Sequence, residues 1–157
     1  NRDVDLLWDE ISRYYKMAVP RNFAYLSWKY DIQPGMNYIK MRAARNNKTC
    51  GYIIFRSVNN ELNYKEGLIT DFVVCPDDEC AIEALLFEAV KYLRRDGCSV
   101  IRCYINQKNI QKILKKCGFL SRRPYMRFLV NKKINGIKGI DDLDNWFITA
   151  GDCDIDR

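Results

Sequence analysis

Apolar positions first recur at helical spacing, then alternate or run together as in strands, and each change of period marks an element. Val4, Leu7, Trp8, Ile11, Tyr14 and Tyr15 share one helical face. Asp3 stands where an N-cap is wanted, and the helix should stop near Val19-Pro20, because the residue before proline disfavours the α region. A second helix holds Phe23, Tyr25, Leu26, Trp28 and Tyr30 and ends before Gln33-Pro34-Gly35. Met36 to Arg45 and Cys50 to Val58 read as two strands, and Asn46-Asn47-Lys48 between them predicts a hairpin, since asparagine accepts left-handed backbone.

The next stretch has the clearest punctuation. Leu68, Ile69, Phe72, Val73 and Val74 form a strand antiparallel to Ile53–Val58, broken by Cys75-Pro76-Asp77-Asp78. A helix over Cys80–Arg95 follows, with Ile82, Leu85, Leu86, Ala89 and Leu93 on one face. It crosses over to a parallel strand at Ser99–Ile105. A basic helix from about Asn109 to Lys116 ends on Gly118, a natural left-handed C-terminal glycine. Ser121 to Val130 reads as another strand, and Trp146-Phe147-Ile148-Thr149 as a last short one. Asp141-Asp142-Leu143-Asp144 is placed to cap a turn. The closing aspartates, Asp152, Asp154 and Asp156, lack the spacing of a calcium loop and read as a solvated acidic end.

Composition narrows the class. At 157 residues, with 48% hydrophobic and 29% charged side chains, one ordinary globular domain is expected. No apolar run approaches the roughly 20 residues that cross a bilayer, so no membrane partner is expected. The chain begins without Met, which reads as a fragment, a processed product or an excised domain. Seven cysteines scattered through predicted strands and helices do not form an extracellular disulfide framework, and point to reduced core residues in the cytoplasm. With no histidine, and with four-residue gaps between Cys75 and Cys80 and between Cys98 and Cys103, no metal site is expected. The net charge of +6 gathers at Arg94-Arg95, Lys112 to Lys116, Arg122-Arg123 and Lys132-Lys133. Aromatics do not interleave with those positions, so nucleic acid ranks last among partners.

The order from Leu7 to Val130, with the strand end at Asp71-Phe72-Val73-Val74, Pro76 and the closing Gly118-Phe119, resembles the GNAT superfamily of acyl-CoA N-acyltransferases. The resemblance implies an α/β (α+β) fold: a mixed, mostly antiparallel sheet with a central parallel strand pair, flanked by helices. The domain would span residues 1–130, with its first strand either cut away or the tail strand near Trp146–Thr149 taking an unexpected place, and with 131–157 an extension packing on the same domain. It also implies acetyl-CoA as cofactor, gripped by backbone at Phe72, Val73 and Val74 and at the helix start Cys80, Ala81 and Ile82, with Asn106 and Asn109 as side-chain contacts. A backbone bulge at Val73–Cys75 would present an amide to the thioester oxygen. Asp71 sits where the family's central strand often carries an acidic residue, a general base acting through water; a buried carboxylate bonded to neighbouring backbone is the alternative.

Two departures stand out. The family's glycine-bearing phosphate loop is replaced by Asp77-Asp78-Glu79-Cys80-Ala81, which sets the helix's own anions at its positive end. The family's proton-donating tyrosine, four residues before the Gly-Phe, is Leu114. The cofactor loop is therefore degenerate. A narrower likeness, carried by Tyr25-Leu26-Ser27-Trp28-Lys29-Tyr30 and Asn145 to Asp152, is to the C-terminal half of larger bacterial GNAT proteins, some in polysaccharide assembly. That implies an adjacent GNAT-like domain as partner and a small-molecule or sugar amine as acceptor. The expectations are an N-acetyltransferase domain or a non-catalytic GNAT-like domain supporting a neighbour.

Overall fold

The architecture is visible in a computed structural model that describes residues 2–122, 128–131 and 136–153. Chain order runs α1 (Arg2–Ile11), a 3-10 turn (Ser12–Tyr14), β1 (Met17–Ala18), α2 (Phe23–Tyr30), β2 (Ile39–Arg45), β3 (Lys48–Asn59) and β4 (Lys65–Val74). Then come α3 (Glu79–Arg95), β5 (Val100–Cys103), α4 (Lys108–Lys116) and β6 (Trp146–Phe147). Strands β2-β3-β4-β5 make one sheet in that order, antiparallel except for the parallel pair β4–β5. This is the mixed sheet expected from the sequence.

Local chemistry explains most of it. Asn46 and Asn47 both take positive φ, 51° and 62°, so the β2–β3 hairpin closes in two residues with Arg45 opposite Lys48. Asn22 caps α2 by accepting from the Tyr25 amide at 2.9 Å. Gly118 has φ 89° just beyond α4, as its position predicts. Two glycines let α3 lie close on the sheet: a Cβ at Gly67 would meet Leu93 at 2.7 Å, and one at Gly51 would meet Leu85 at 3.1 Å.

Each face of the sheet buries its own cluster. On one, Ile53, Phe55, Ile69, Phe72 and Val74 pack against Ile82, Leu85, Leu86 and Leu93 of α3 and Ile110, Ile113 and Leu114 of α4. On the other, Tyr52, Ile54 and Val73 pack against Leu7, Trp8 and Ile11 of α1, Tyr30 of α2 and Phe147 of β6. Removing these side chains from water is the main drive to this arrangement.

Two expectations for the first helix need correction. Helix α1 starts at Arg2, placing Asp3 inside its first turn, and ends at Ile11, well before Val19. Met17 and Ala18 extend instead because they pair in parallel with Trp146 and Phe147, a long-range contact that outweighs the local helical pattern. Of the strand read at Ser121–Val130, residues 123–127 lie outside the described residues, and residues 121–122 and 128–130 form no strand. Asp142 does cap a turn, accepting from the Asp144 amide at 3.0 Å.

Candidate active site

Strand β4 is where the functional expectations converge. Its register with β3 slips once: Asp71 faces Ile54 and Ile69 faces Phe55, leaving Thr70 as the extra residue. The bulge therefore lies at Thr70, not at Val73–Cys75, and it turns Asp71 toward α2 while Ile69 and Phe72 both face α3.

On its other edge β4 pairs with β5 only from Glu66 to Ile69, ending opposite Cys103. Beyond that point β5's continuation turns to the tail: Ile105 bridges Thr149, the Ala150 amide donates to the Tyr104 carbonyl at 3.1 Å, and the Asn106 amide donates to Ile148 at 3.3 Å. The central parallel pair thus separates below Val74, and the segment Ile148–Asp152 bridges the two strands at the root of the gap.

A buried ionic centre holds that bridge. Arg21, wholly buried in the α1–α2 connection, donates from Nε to Asp71 Oδ2 at 3.3 Å and from a terminal nitrogen to Asp152 Oδ2 at 2.5 Å. It also donates to the Val19 carbonyl at 2.7 Å and the Thr149 hydroxyl at 3.3 Å. Thr149 donates to Asp71 Oδ1 at 3.2 Å, and the Tyr30 hydroxyl donates to Asp71 Oδ2 at the same distance. Gly151 fits where no side chain would: a Cβ there would lie 2.3 Å from the Tyr30 hydroxyl and 3.3 Å from the Thr70 carbonyl.

Two carboxylates share one guanidinium. Burial would pull the Arg21 pKa down, but Asp71 and Asp152 outweigh it, so the charge is held more firmly than usual. Burial raises the Asp71 pKa, with Arg21 opposing. Burial also raises Tyr52 well above its ordinary value, with Asp71 adding to the shift. The Asp152 Oδ1 atom and the Tyr52 hydroxyl are buried without a hydrogen-bond partner among the described residues.

Each residue singled out from the sequence now has a place. Asp71 is wholly buried and accepts from the Phe72 amide at 3.0 Å as well as from its ion partners. The Phe72, Val73 and Val74 side chains are in the core. Of the α3 start, Cys80 is exposed, while the Ala81 amide is already taken by the Asp78 carboxylate at 3.1 Å and the Ile82 amide by the Asp78 carbonyl at 3.1 Å. Asn106 is committed to the tail, donating to the Leu143 and Trp146 carbonyls at 3.0 and 2.8 Å and accepting from the Ile148 amide at 2.9 Å. Asn109 lines a hollow of about 240 Å³ with Pro76, Asp77, Glu79, Lys112 and Lys116, in which Lys116 meets Glu79 at 3.3 Å. Leu114 is buried in the core.

The sequence reading missed Arg21 altogether and took Asp152 for a solvated terminal charge; the structure joins them in one ion pair, with Arg21 wholly buried and Asp152 mostly so. The available signal was slight: a lone basic residue in Val19-Pro20-Arg21-Asn22, outside every basic cluster. Near the C-terminal end of β4, the Tyr14 hydroxyl and Cys75 Sγ share a hydrogen bond at 3.3 Å, and holding its proton toward the sulfur pushes the Tyr14 pKa up to about 12.

No model of a known protein family matches the chain, and no curated protein does. Solved structures do match in fold. An aminoglycoside acetyltransferase from an uncultured soil metagenomic sample, in complex with trehalose, superposes with a TM-score of 0.61 at 11% identity, over 84% of this chain and 88% of that one. An acetyltransferase from Trypanosoma brucei gives 0.61 at 16% identity, over 82% and 94%. The ribosomal-protein-alanine N-acetyltransferase of Brucella melitensis biovar Abortus gives 0.57 at 11%, over 83% and 91%. The fold is that of the GNAT acetyltransferases.

Proposed function

We propose that this chain is an acetyl-CoA-dependent N-acetyltransferase domain acting on a small-molecule or sugar amine. The observation that carries the reading is the separation of β4 from β5 after Ile69, which leaves the Phe72–Val74 end of β4 ladder-paired to β3 alone. An extended thioester laid along that edge would find backbone amides for its carbonyl oxygen, and amine attack then needs little beyond proximity. The acceptor would enter over α2, on the face to which Asp71 points. There Asp71 acts as a positioning residue, tying Arg21 and Thr149 together.

The residues fit the two ends of the cofactor unequally. The thioester end fits. The pyrophosphate end does not fit the α3 N-terminus, where Asp78 already satisfies the Ala81 amide and pairs with Arg45 at 3.1 Å. The neighbouring hollow offers Lys112, Lys116 and Asn109 for phosphate oxygens, against the opposing charges of Asp77 and Glu79. Among the described residues no helix is long and apolar enough to cross a membrane. All seven cysteines are unbridged, which supports a cytoplasmic setting.

A second reading is favoured by Asp78 and Leu114: a non-catalytic domain of the same fold that supports an adjacent acetyltransferase unit. Thermal unfolding with and without millimolar acetyl-CoA separates the two. A ligand that binds only the folded chain raises its melting temperature, and the enzyme reading expects a rise that grows with concentration. An unchanged melting temperature at millimolar cofactor overturns it in favour of the supporting role.

A further inference from the structure

Cys75 stands at the mouth of the gap beside β4. The strand's ladder with β3 ends at Val74, opposite Gly51, so Cys75 is the first residue beyond it. Strand residues rise roughly 3.3 Å each, which puts Cys75 one step from the amides along which a thioester would lie. Val73 packs toward α1 and Val74 toward α3, and alternation turns Cys75 back to the α1 side. There its half-buried thiol meets Tyr14, the last residue of the 3-10 turn after α1, with Sγ 3.3 Å from the hydroxyl.

A third group joins them from the next position in the chain. The Tyr15 hydroxyl is buried and has no hydrogen-bond partner among the described residues. Its ring lies against Phe147 of β6 at 4.8 Å; burial raises its pKa, and Cys75 and Tyr14 add to the shift. A buried phenol that bonds to nothing is destabilising, and it leaves a donor ready for a group that arrives. A nucleophile, a hydroxyl bonded to it and an unused donor beside both are the parts of a cysteine acyl-transfer site. A proton is also wanted here: the departing CoA sulfur needs one, and Leu114, buried in the core, has none to give.

We propose that Cys75 accepts the acetyl group from acetyl-CoA and passes it to the amine, with Tyr14 relaying the proton and Tyr15 holding the thioester oxygen. This rests on the transferase reading and inserts an acyl-enzyme into it. In the first step the Cys75 sulfur bonds to the acetyl carbon, and the bond from that carbon to the CoA sulfur breaks. The thiol proton passes to the Tyr14 hydroxyl as the Tyr14 proton passes to the CoA sulfur. In the second step the amine nitrogen bonds to the same carbon, the bond to Cys75 breaks, and the sulfur regains a proton from the amine. Tyr15 donates to the carbonyl oxygen, where negative charge builds in both steps. One thioester is exchanged for another in the first step, so the acetyl group stays reactive after CoA has left.

Exchange of label between acetyl-CoA and isotopically labelled free CoA, with no amine present, reads the first step alone. The full chain is expected to catalyse this exchange and to carry a hydroxylamine-labile acetyl group on Cys75, located by peptide mapping. Cys75→Ala should abolish the exchange, with Cys75→Ser in its place if circular dichroism shows the alanine variant unfolded. Tyr14→Phe, at a position 49% exposed, should slow the exchange about a hundredfold. Tyr15→Phe should slow it about as much without lowering thermal stability, because its hydroxyl bonds to nothing in the resting chain. No exchange above the rate without protein overturns the proposal, as does exchange that survives loss of Cys75. So does acetyl spread equally over the exposed Cys80 and Cys117. The melting temperature keeps this failure apart from failure of the transferase reading. A rise with acetyl-CoA but no exchange removes the acyl-enzyme alone, whereas neither rise nor exchange removes both.

Discussion

Two places on either side of β4's C-terminal half carry clustered acids, and they obey opposite rules. Beside Asp71 the charges are withdrawn from solvent, Arg21 and Asp71 wholly and Asp152 mostly, and come from three distant parts of the chain. At the start of α3, Asp77, Asp78 and Glu79 are neighbours in sequence; Asp77 and Glu79 face solvent, while the half-buried Asp78 caps the helix. The first cluster is held by mutual neutralisation in a medium that penalises a lone charge heavily. The second is held by an amide hydrogen bond and the helix dipole, each worth little but needing no partner from afar. The buried centre therefore locks tertiary structure, while the exposed one sets what kind of anion can approach.

Removing the cation from the buried centre should have the largest effect. Arg21→Met leaves two buried carboxylates facing each other and is expected to cost about 3–5 kcal/mol in urea unfolding. Arg45→Met, which strips the exposed partner of Asp78, should shift the unfolding midpoint far less, because a solvent-screened pair contributes little. Equal costs would erase the contrast. Next, Gly151→Ala should lose about 1–3 kcal/mol by overpacking the added methyl against the Tyr30 hydroxyl. Tyr30→Phe in the same chain should recover part of that loss; if it recovers none, the tail is not held where described.

The smallest effect is one of sign. Burial raises the Asp71 pKa above the usual 3.8, so the folded chain holds that proton more tightly than the unfolded one. Its contribution is full below 3.8 and is lost as pH rises through the raised value. The hydrogen bond from Arg45, then that from the Ala81 amide, lowers the Asp78 pKa, so its contribution is present above 3.8 and is lost as pH falls through the lowered value. In urea titrations between about pH 3 and about pH 7, the stability of the native chain relative to Asp71→Asn should fall with pH, and that relative to Asp78→Asn should rise. Slopes of the same sign would contradict the assignment.

How much of this was legible in the sequence follows the same division. Whatever is specified by neighbours was readable: the Asn46-Asn47 hairpin, the β4–α3–β5 crossover, Gly118 and the acidic start of α3 all announce themselves within a few residues. The early end of α1 was not, because Met17 and Ala18 extend only to meet Trp146 and Phe147. Arg21 was not either, since its partners lie 50 and 131 residues away and no periodicity links them. The position of the bulge was misplaced by a few residues, for the apolar run from Phe72 to Val74 hides the slip at Thr70.

The gap beside β4 is most directly tested by titrating isotope-labelled protein with acetyl-CoA and following the backbone amide signals by NMR. Saturable shifts concentrated at Phe72, Val73, Val74 and Cys75 are the expected result. Amide signals that stay in place throughout β4 at millimolar acetyl-CoA would contradict it.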